Sequence, residues 1–101
     1  MPLMSNVYIG ETELHIDKHT KALQKSYCKT VLAEHGQLTK DLFDKINAGD
    51  EKAMRQVYTD QQQRIRQQAE RITDPIEKQI TLTQVNSIQE VLDALPNILN
   101  A

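Results

Sequence analysis

The strongest constraint on the fold is a run of apolar residues in the middle of the chain, spaced three and four positions apart. The stripe comprises Met54, Val57, Tyr58, Gln61, Ile65, Ala69 (or Gln68) and Ile72. Gly49 ends the preceding element, Asp50 is a preferred N-cap residue, and Glu51 suits a first helical turn. The pattern predicts a helix over 51–73, about 33 Å long. Because the stretch 59–64 has no apolar side chain, we expect the middle of this helix to leave the core or to meet a polar partner.

Two shorter helices are predicted upstream of the long one. Leu23, Tyr27 and Val31 follow one another at four-residue steps, with Cys28 and Leu32 beside them. This stripe predicts a helix over 18–35 with Asp17 as its N-cap. Thr39 is placed to cap a second helix over 39–48. Each helix has one apolar side, so both are expected to contribute to a single core.

The C-terminal third combines helix signals with a segment of strand-like composition. Asp74, followed by a proline, favours a helix start. The next residues, "QITLTQV", are rich in β-branched side chains and partly alternate, so 76–84 fits helix or strand. An amphipathic stripe then contains Val85, Ile88, Val91, Leu92 and Leu95. It predicts a helix over 84–95 that Pro96 ends, with 96–101 as a tail.

The N-terminal segment predicts the strands of the fold. In "NVYIGETELHI", Val7 and Ile9 alternate, Gly10 interrupts the run, and Leu14 and Ile16 alternate again. This pattern predicts a β-hairpin over 6–16, which must lie on a helix or pair with another chain because two strands are marginal alone. The predicted fold class is mainly α with a small N-terminal β-hairpin (α+β), a compact bundle of about four helices in one domain over 1–101.

Composition bears on where the protein works and what it binds. The formal net charge is -2, from 12 basic and 14 acidic side chains, so no general attraction to nucleic acid or to an anionic membrane is expected. Cys28 is the only cysteine, which fits a reducing cytoplasm. No apolar run approaches the roughly 20 residues of a membrane helix, and no secretory leader is visible. We therefore predict a cytoplasmic protein without a membrane segment.

Two groups of residues invite a chemical interpretation. His15, Asp17 and His19 alternate in "ELHIDKH" and would share one side of a strand, as metal ligands require. If Asp17 caps a helix instead, the chain turns there and the histidines diverge, and this alternative is the favoured one. Cys28 and His35 are about 10 Å apart along one helix, too far for a thiolate and its base. No catalytic residue, metal site or cofactor is predicted.

Several surface residues are predicted to bind a protein partner. The set comprises the basic stripe Lys18, Lys21, Lys25 and Lys29, the polar residues Gln61, Gln62 and Arg64, and the tail residues Ile98 and Leu99. An acidic protein helix suits the basic side chains better than nucleic acid does, because acidic residues are interleaved with the arginines and no aromatic platform accompanies them. The tail either enters a groove of a partner or docks on the chain's own core.

The order of elements in the N-terminal half also resembles a known family. A predicted strand pair, "VYIGETELHI", leads to the helix "KHTKALQKSYCKTVLAEHG" and then to "LTKDLFDKINAGDEKAMRQVY", a short helix, a Gly-Asp turn and the next helix. Over roughly 7–58 this resembles the small tail assembly chaperones of long-tailed bacteriophages. The resemblance implies a non-enzymatic protein that coats the helical tape-measure protein and recruits tail-tube subunits. The glutamine-rich third helix and "ITLTQ" depart from that pattern.

These observations favour a protein-binding function. The first hypothesis is an assembly chaperone or adaptor, phage-encoded, with a helical client and a tendency to form homo-oligomers. A second hypothesis is a small phage or plasmid-encoded inhibitor of a host enzyme such as a nuclease or polymerase. A third, from a different class, is a nucleic-acid-binding accessory protein that uses the four lysines and Arg64.

Overall fold

Four helices account for most of the described chain. The computed structural model describes residues 20–100, which form α1 (Lys21–Glu34), α2 (Lys40–Asn47), α3 (Glu51–Glu70) and α4 (Pro75–Leu99), joined by short turns. The prediction of a compact, mainly α-helical bundle of about four helices is confirmed for this part of the chain. The β-hairpin predicted over 6–16 lies outside the described residues.

Each helix begins at a side chain that accepts a hydrogen bond from an early backbone N–H. The acceptors are Thr20 (from Leu23, 3.3 Å), Thr39 (from Leu42, 3.1 Å), Asp50 (from Ala53, 3.2 Å) and Asp74 (from Ile76, 3.2 Å). The predicted caps Thr39, Asp50 and Asp74 are confirmed. The predicted start of the first helix is wrong, because the extended backbone of Thr20 makes this residue the cap and the helix begins at Lys21.

The fourth helix is much longer than the predicted span of 84–95. It begins at Pro75 and includes the whole of "QITLTQV", so the open question over 76–84 is decided in favour of helix. The hydroxyl of Thr81 donates to the Glu77 carbonyl (3.0 Å), and that of Thr83 donates to the Ile80 carbonyl (2.5 Å). These bonds give the threonine hydroxyls partners within the helix itself. Burial of Val85 against α3 adds a tertiary contribution that outweighs the weak helix propensity of the segment.

The prediction that Pro96 ends the last helix is also wrong. Pro96 lies inside α4, and the backbone N–H of Asn100 still donates to the Pro96 carbonyl (3.1 Å). A proline in a helix removes one hydrogen bond and costs about 3 kcal/mol. Ile98 is buried beyond it and Leu99 packs on the core, so apolar burial of the last turn offsets that cost.

The core lies at one end of the molecule. Its buried members are Cys28, Val31, Leu32, Ile46, Met54, Val57, Tyr58, Leu92 and Leu95. Helices α3 and α4 run antiparallel as a long hairpin, since Gln62 in the second half of α3 contacts Val85 in the first half of α4. Helices α1 and α2 contribute to this core only with the first half of α3 and the last part of α4. The hairpin therefore has a covered end, where α1 and α2 pack, and an open end at the turn over 71–74.

Two glycines form the turns that place α1 and α2. Gly36 has φ +66° and Gly49 has φ +78°, a backbone conformation that favours glycine. Gly36 follows α1 and Gly49 follows α2, as the sequence predicts for residues that end helices. Asp50, next to Gly49, immediately caps α3, which keeps α2 close to the base of the long hairpin.

Candidate protein-interaction surfaces

The lysines of α1 mainly contact α2. Lys25 Nζ donates to the main-chain carbonyl of Asn47 (2.8 Å), and Lys29 Nζ donates to the Asn47 side-chain oxygen (2.7 Å). Lys29 Nζ also lies 5.0 Å from the centroid of the Phe43 ring. Asn47 is the last residue of α2, where helix carbonyls lack intrahelical partners and attract cations. These two predicted partner-binding residues therefore hold α2 against α1, while Lys21 is half-buried and Lys18 lies outside the described residues.

Gln62 is placed inside the hairpin, in contrast to its predicted role at a partner surface. Its side chain is 4% exposed. Its Nε2 donates to the Val85 carbonyl and to Gln89 Oε1, both at 3.1 Å. The sequence interpretation placed Gln61 in the apolar stripe, whereas the observed stripe runs through Gln62, four residues after Tyr58. Gln62 thus links α3 to α4 and is unavailable to a partner in this conformation.

The predicted tail residues belong to the core. Ile98 is 5% exposed, and Leu99 packs against the core cluster. Of the two alternatives for these residues, the structure places them on the chain's own core. The expectation of a partner groove for Ile98 and Leu99 is therefore wrong for this conformation, because α4 continues through Pro96 and its last turn is covered.

A shallow cavity lies where α3 meets the turn after α1. It has a volume of about 290 Å³ and is bordered by His35, Gln61, Arg64, Gln68 and Arg71, among others. The Arg64 guanidinium contacts His35 Nδ1 (3.2 Å) and donates to Gln37 Oε1 (3.1 Å). Gln61 Oε1 is buried without a hydrogen-bond partner among residues 20–100. The part of the lining supplied by residues 20–100 contains amides, guanidinium groups and an imidazole and no carboxylate.

Sequence reasoning found Gln61 and Arg64 but missed the other members of this cavity. Gln61, Arg64, Gln68 and Arg71 are separated by three, four and three positions, which places them on one side of a helix. The sequence alone is sufficient to predict this polar stripe. The contact of His35 with Arg64 was not readable, because it depends on how α1 crosses α3.

An apolar groove of about 290 Å³ lies between α1, α3 and α4. Leu23 and Tyr27 border it on α1, Tyr58 on α3, and Ile88 and Val91 on α4. The rings of Tyr27 and Tyr58 are stacked, with centroids 5.5 Å apart and an interplanar angle of 6°. Leu23 is 39% exposed at its edge. The groove offers apolar contacts, and the stacking of the two tyrosine rings fixes the position of part of its surface.

A larger groove of about 510 Å³ is bordered by three elements: the C-terminal end of α1, α2, and the first half of α3. Leu32, Leu42 and Val57 supply apolar contacts, and Lys52 and Asp60 lie among its polar border residues. Charges of both signs border this groove. It therefore suits an amphipathic surface better than an anion.

The outer side of α4 near the hairpin turn exposes large apolar side chains. Ile76 is 72% exposed and Ile80 is 60% exposed. They are four residues apart and so lie on one face of the helix. The stretch 79–89, "QITLTQVNSIQ", contains no charged residue. We call the side of α4 formed by Ile76 and Ile80 the isoleucine face.

Cys28 lies in the core next to Tyr58. Burial raises the pKa of its thiol to about 11, although a hydrogen bond with Tyr58 opposes that shift. Burial also raises the pKa of Tyr58, whose hydroxyl donates to Gln24 Oε1. A thiol with a raised pKa stays protonated near neutral pH, which is the unreactive form. The local chemistry of Cys28 is that of a packed core residue.

Residues 20–100 contain neither a cluster of metal-ligand side chains nor a membrane-spanning helix. No three His, Cys, Asp or Glu side chains in this range are grouped so as to hold a metal ion. His15, Asp17 and His19 lie outside the described range. None of the helices in the described part of the chain combines the length and apolar content needed to cross a membrane.

Comparison with known proteins adds no family assignment. No protein-family model, curated protein or solved structure matches the chain.

Proposed function

We propose that this chain is a non-enzymatic protein-binding protein, an adaptor or assembly chaperone that works in the cytoplasm on a helical client. The isoleucine face carries the proposal. Single exposed apolar residues are ordinary on protein surfaces. Two large ones four residues apart on one helix face, the second within the uncharged stretch 79–89, are typical of a surface that a partner covers.

The size of the isoleucine face suits a helix of a client. Residues spaced four apart form a ridge that packs into the groove of a second helix. Burying both isoleucines would contribute on the order of 2 to 4 kcal/mol. Such a contribution supports reversible binding when other contacts accompany it, as a chaperone that must release its client requires.

The resemblance of 7–58 to tail assembly chaperones supports the same class of function and suggests a tape-measure-like helical client. The internal contacts of Lys25 and Lys29 with Asn47 weaken the nucleic-acid alternative, because they occupy the ammonium groups that a phosphate backbone would need. An inhibitor of a host enzyme would use the same kind of surface, and the identity of the captured protein distinguishes the two.

The test is capture of the client from extracts of the source cells by the full-length tagged chain. The variant Ile76→Lys/Ile80→Lys places charge on the isoleucine face, and we expect at least a tenfold loss of the captured protein because burying an unpaired charge is unfavourable. The matched control is Asn86→Lys, which adds charge at an exposed position of the same uncharged stretch but on another side of α4.

Circular dichroism and melting temperature show whether each variant folds. The proposal requires that the wild-type chain and the Asn86→Lys variant retain the same protein and that the double variant does not. Equal capture by all three chains, or no specific capture by the wild-type chain, contradicts it.

A further inference from the structure

We infer that the outer side of α3 binds an acidic helix of a partner protein, a conclusion that rests on the proposed protein-binding function and specifies the partner's chemistry. The side chains are Gln61, Arg64, Gln68 and Arg71, which we call the donor seam. Their spacing of three, four and three matches the a and d positions of a heptad. Helices that pack side by side contact each other through such a stripe.

The donor seam lies along one concave surface. All four residues border the cavity of about 290 Å³ described above, together with His35. Gln61 supplies a buried amide oxygen without a partner among residues 20–100. Leaving a buried polar atom unpaired is unfavourable, so a partner that donates a hydrogen bond to the Gln61 oxygen gains binding free energy. If the amide rotates by half a turn, its NH₂ group takes that position and a partner gains by accepting from it.

Arg64 is held in position before any partner arrives. Its guanidinium contacts His35 Nδ1 (3.2 Å) and Gln37 Oε1 (3.1 Å), both from the turn after α1. A guanidinium group has five N–H donors, so these contacts leave donors for a ligand. Fixing the side chain in advance reduces the entropy lost on binding.

Arg71 is the second cationic group of the seam. It is exposed at the C-terminal end of α3 and forms no ion pair within residues 20–100. It lies seven residues after Arg64, a separation of about 10.5 Å along a helix. Two carboxylates seven residues apart on a partner helix have the same separation, and guanidinium groups bind carboxylates through paired hydrogen bonds.

The surroundings favour an acidic helix over nucleic acid. Asp60 and Glu70 flank the seam on the same helix and would repel a continuous row of phosphates. The chain as a whole has a formal net charge of -2. A partner helix with carboxylates at two positions only avoids that repulsion and still contacts both arginines.

The test uses a synthetic alanine-rich helical peptide with two glutamates seven positions apart, labelled for fluorescence anisotropy. A second peptide of identical composition has the glutamates five positions apart, on different sides of the helix. Because exposed ion pairs are weak, we expect the full-length chain to bind the first peptide about fivefold to tenfold more tightly. The Arg71→Gln variant should lose most of that preference.

Charge exchange separates a direct contact from an indirect effect. Arg71→Glu should weaken binding of the first peptide, and replacing one of its glutamates by lysine should restore binding to that variant. The matched control is Arg66→Gln, since Arg66 is exposed on another side of α3 and its one side-chain hydrogen bond within residues 20–100 is to Gln63 (3.4 Å). This control should bind both peptides as the wild-type chain does.

Several outcomes overturn the inference. They are equal affinity for the two peptides, no binding of the first peptide, or no effect of Arg71→Gln. Tighter binding of a duplex DNA oligonucleotide that Arg71→Gln abolishes would assign the seam to nucleic acid instead. If the peptides fail while client capture still depends on Ile76 and Ile80, the inference fails alone; if the peptides discriminate but capture does not depend on those isoleucines, the proposed function fails alone.

Discussion

The two ends of the α3–α4 hairpin differ in how much apolar surface they bury. At the covered end, α1 and α2 bury Cys28, Ile46, Met54 and Leu95 completely. At the open end, α3 and α4 are the two helices of the described chain that pack on each other, and the isoleucine side chains of Ile76 and Ile80 on α4 remain exposed. Apolar burial holds the covered end together, whereas the open end leaves apolar and cationic side chains for other molecules.

This division assigns stability and recognition to separate parts of one small domain. A domain of this size buries a modest share of its surface, so its stability depends on a few well-packed residues. Most of those residues lie at the covered end, whereas the open-end half of the hairpin buries Ile65, Ala69 and Val85. The isoleucine face lies at the open end, and the donor seam runs from the turn after α1 toward it. At exposed positions of both surfaces, substitutions change binding with little cost in stability.

The largest expected difference between the two ends is in the loss of stability when a buried residue is truncated. Leu95 is fully buried, and Leu95→Ala should lower the free energy of unfolding by about 3 to 5 kcal/mol, because it removes apolar contacts and leaves a cavity. Ile80→Ala, at the open end, should change it by less than about 0.5 kcal/mol. Urea unfolding followed by circular dichroism measures both, and similar losses for the two variants would show that the ends are not distinct.

Alkaline pH provides a second test of the covered end. Burial raises the pKa of the Cys28 thiol from 9.0 to about 11. Below pH 9 the thiol is protonated in both the folded and the unfolded chain, and its contribution to stability is fully present. As the pH rises toward 11, the unfolded chain ionises first, so the free energy of unfolding should fall by about 2 to 3 kcal/mol from this group.

The variant Cys28→Ala isolates that share of the pH dependence. Burial also raises the pKa of Tyr27 and Tyr58, and this contribution, which has the same sign, remains in the variant, whereas the smaller part of both shifts that Cys28 causes is lost with the thiol. Urea unfolding of both chains between pH about 8 and about 11 should show a stability difference that shrinks as pH rises. A difference that stays constant over this interval would contradict the buried, protonated state of the thiol.

Local signals were sufficient to predict much of this architecture. Caps such as Thr39 and Asp50 act within one helical turn, so the sequence alone indicates where α2 and α3 begin. The apolar stripes likewise depend only on helical spacing. The question left open over 76–84 and the error at Pro96 share one cause: local propensity opposes a helix there, and burial against α3 and the core outweighs it.

The candidate surfaces were less predictable because they depend on contacts between distant segments. The sequence shows that Lys25 and Lys29 share a helix face, but it does not show that Asn47 occupies their ammonium groups. The predicted apolar stripe of α3 contained Gln61, whereas the observed stripe contains the adjacent residue Gln62, which therefore faces α4. The exposure of Ile80 likewise follows from the absence of a third helix beside the described open end.

The smallest effect concerns the polar link inside the open end. Gln62 is buried and joins α3 to Val85 and Gln89 of α4. Gln62→Ala should lower the free energy of unfolding by about 1 to 2 kcal/mol, because it removes packing and both hydrogen bonds. Gln62→Leu keeps the volume, and the Val85 carbonyl retains its place in the α4 helix, so this variant should be within about 1 kcal/mol of wild type.

The pair of variants separates two reasons for a buried amide at this position. If Gln62→Leu is as stable as wild type, the amide is not needed for stability, and its role is to fix the register of the two helices. Amide hydrogen exchange around 80–90 then measures whether the leucine variant loosens the hairpin, which a loss of fixed register requires. A leucine variant as unstable as the alanine variant would show instead that the hydrogen bonds themselves hold the open end together, and the contrast with the apolar covered end would then be sharper.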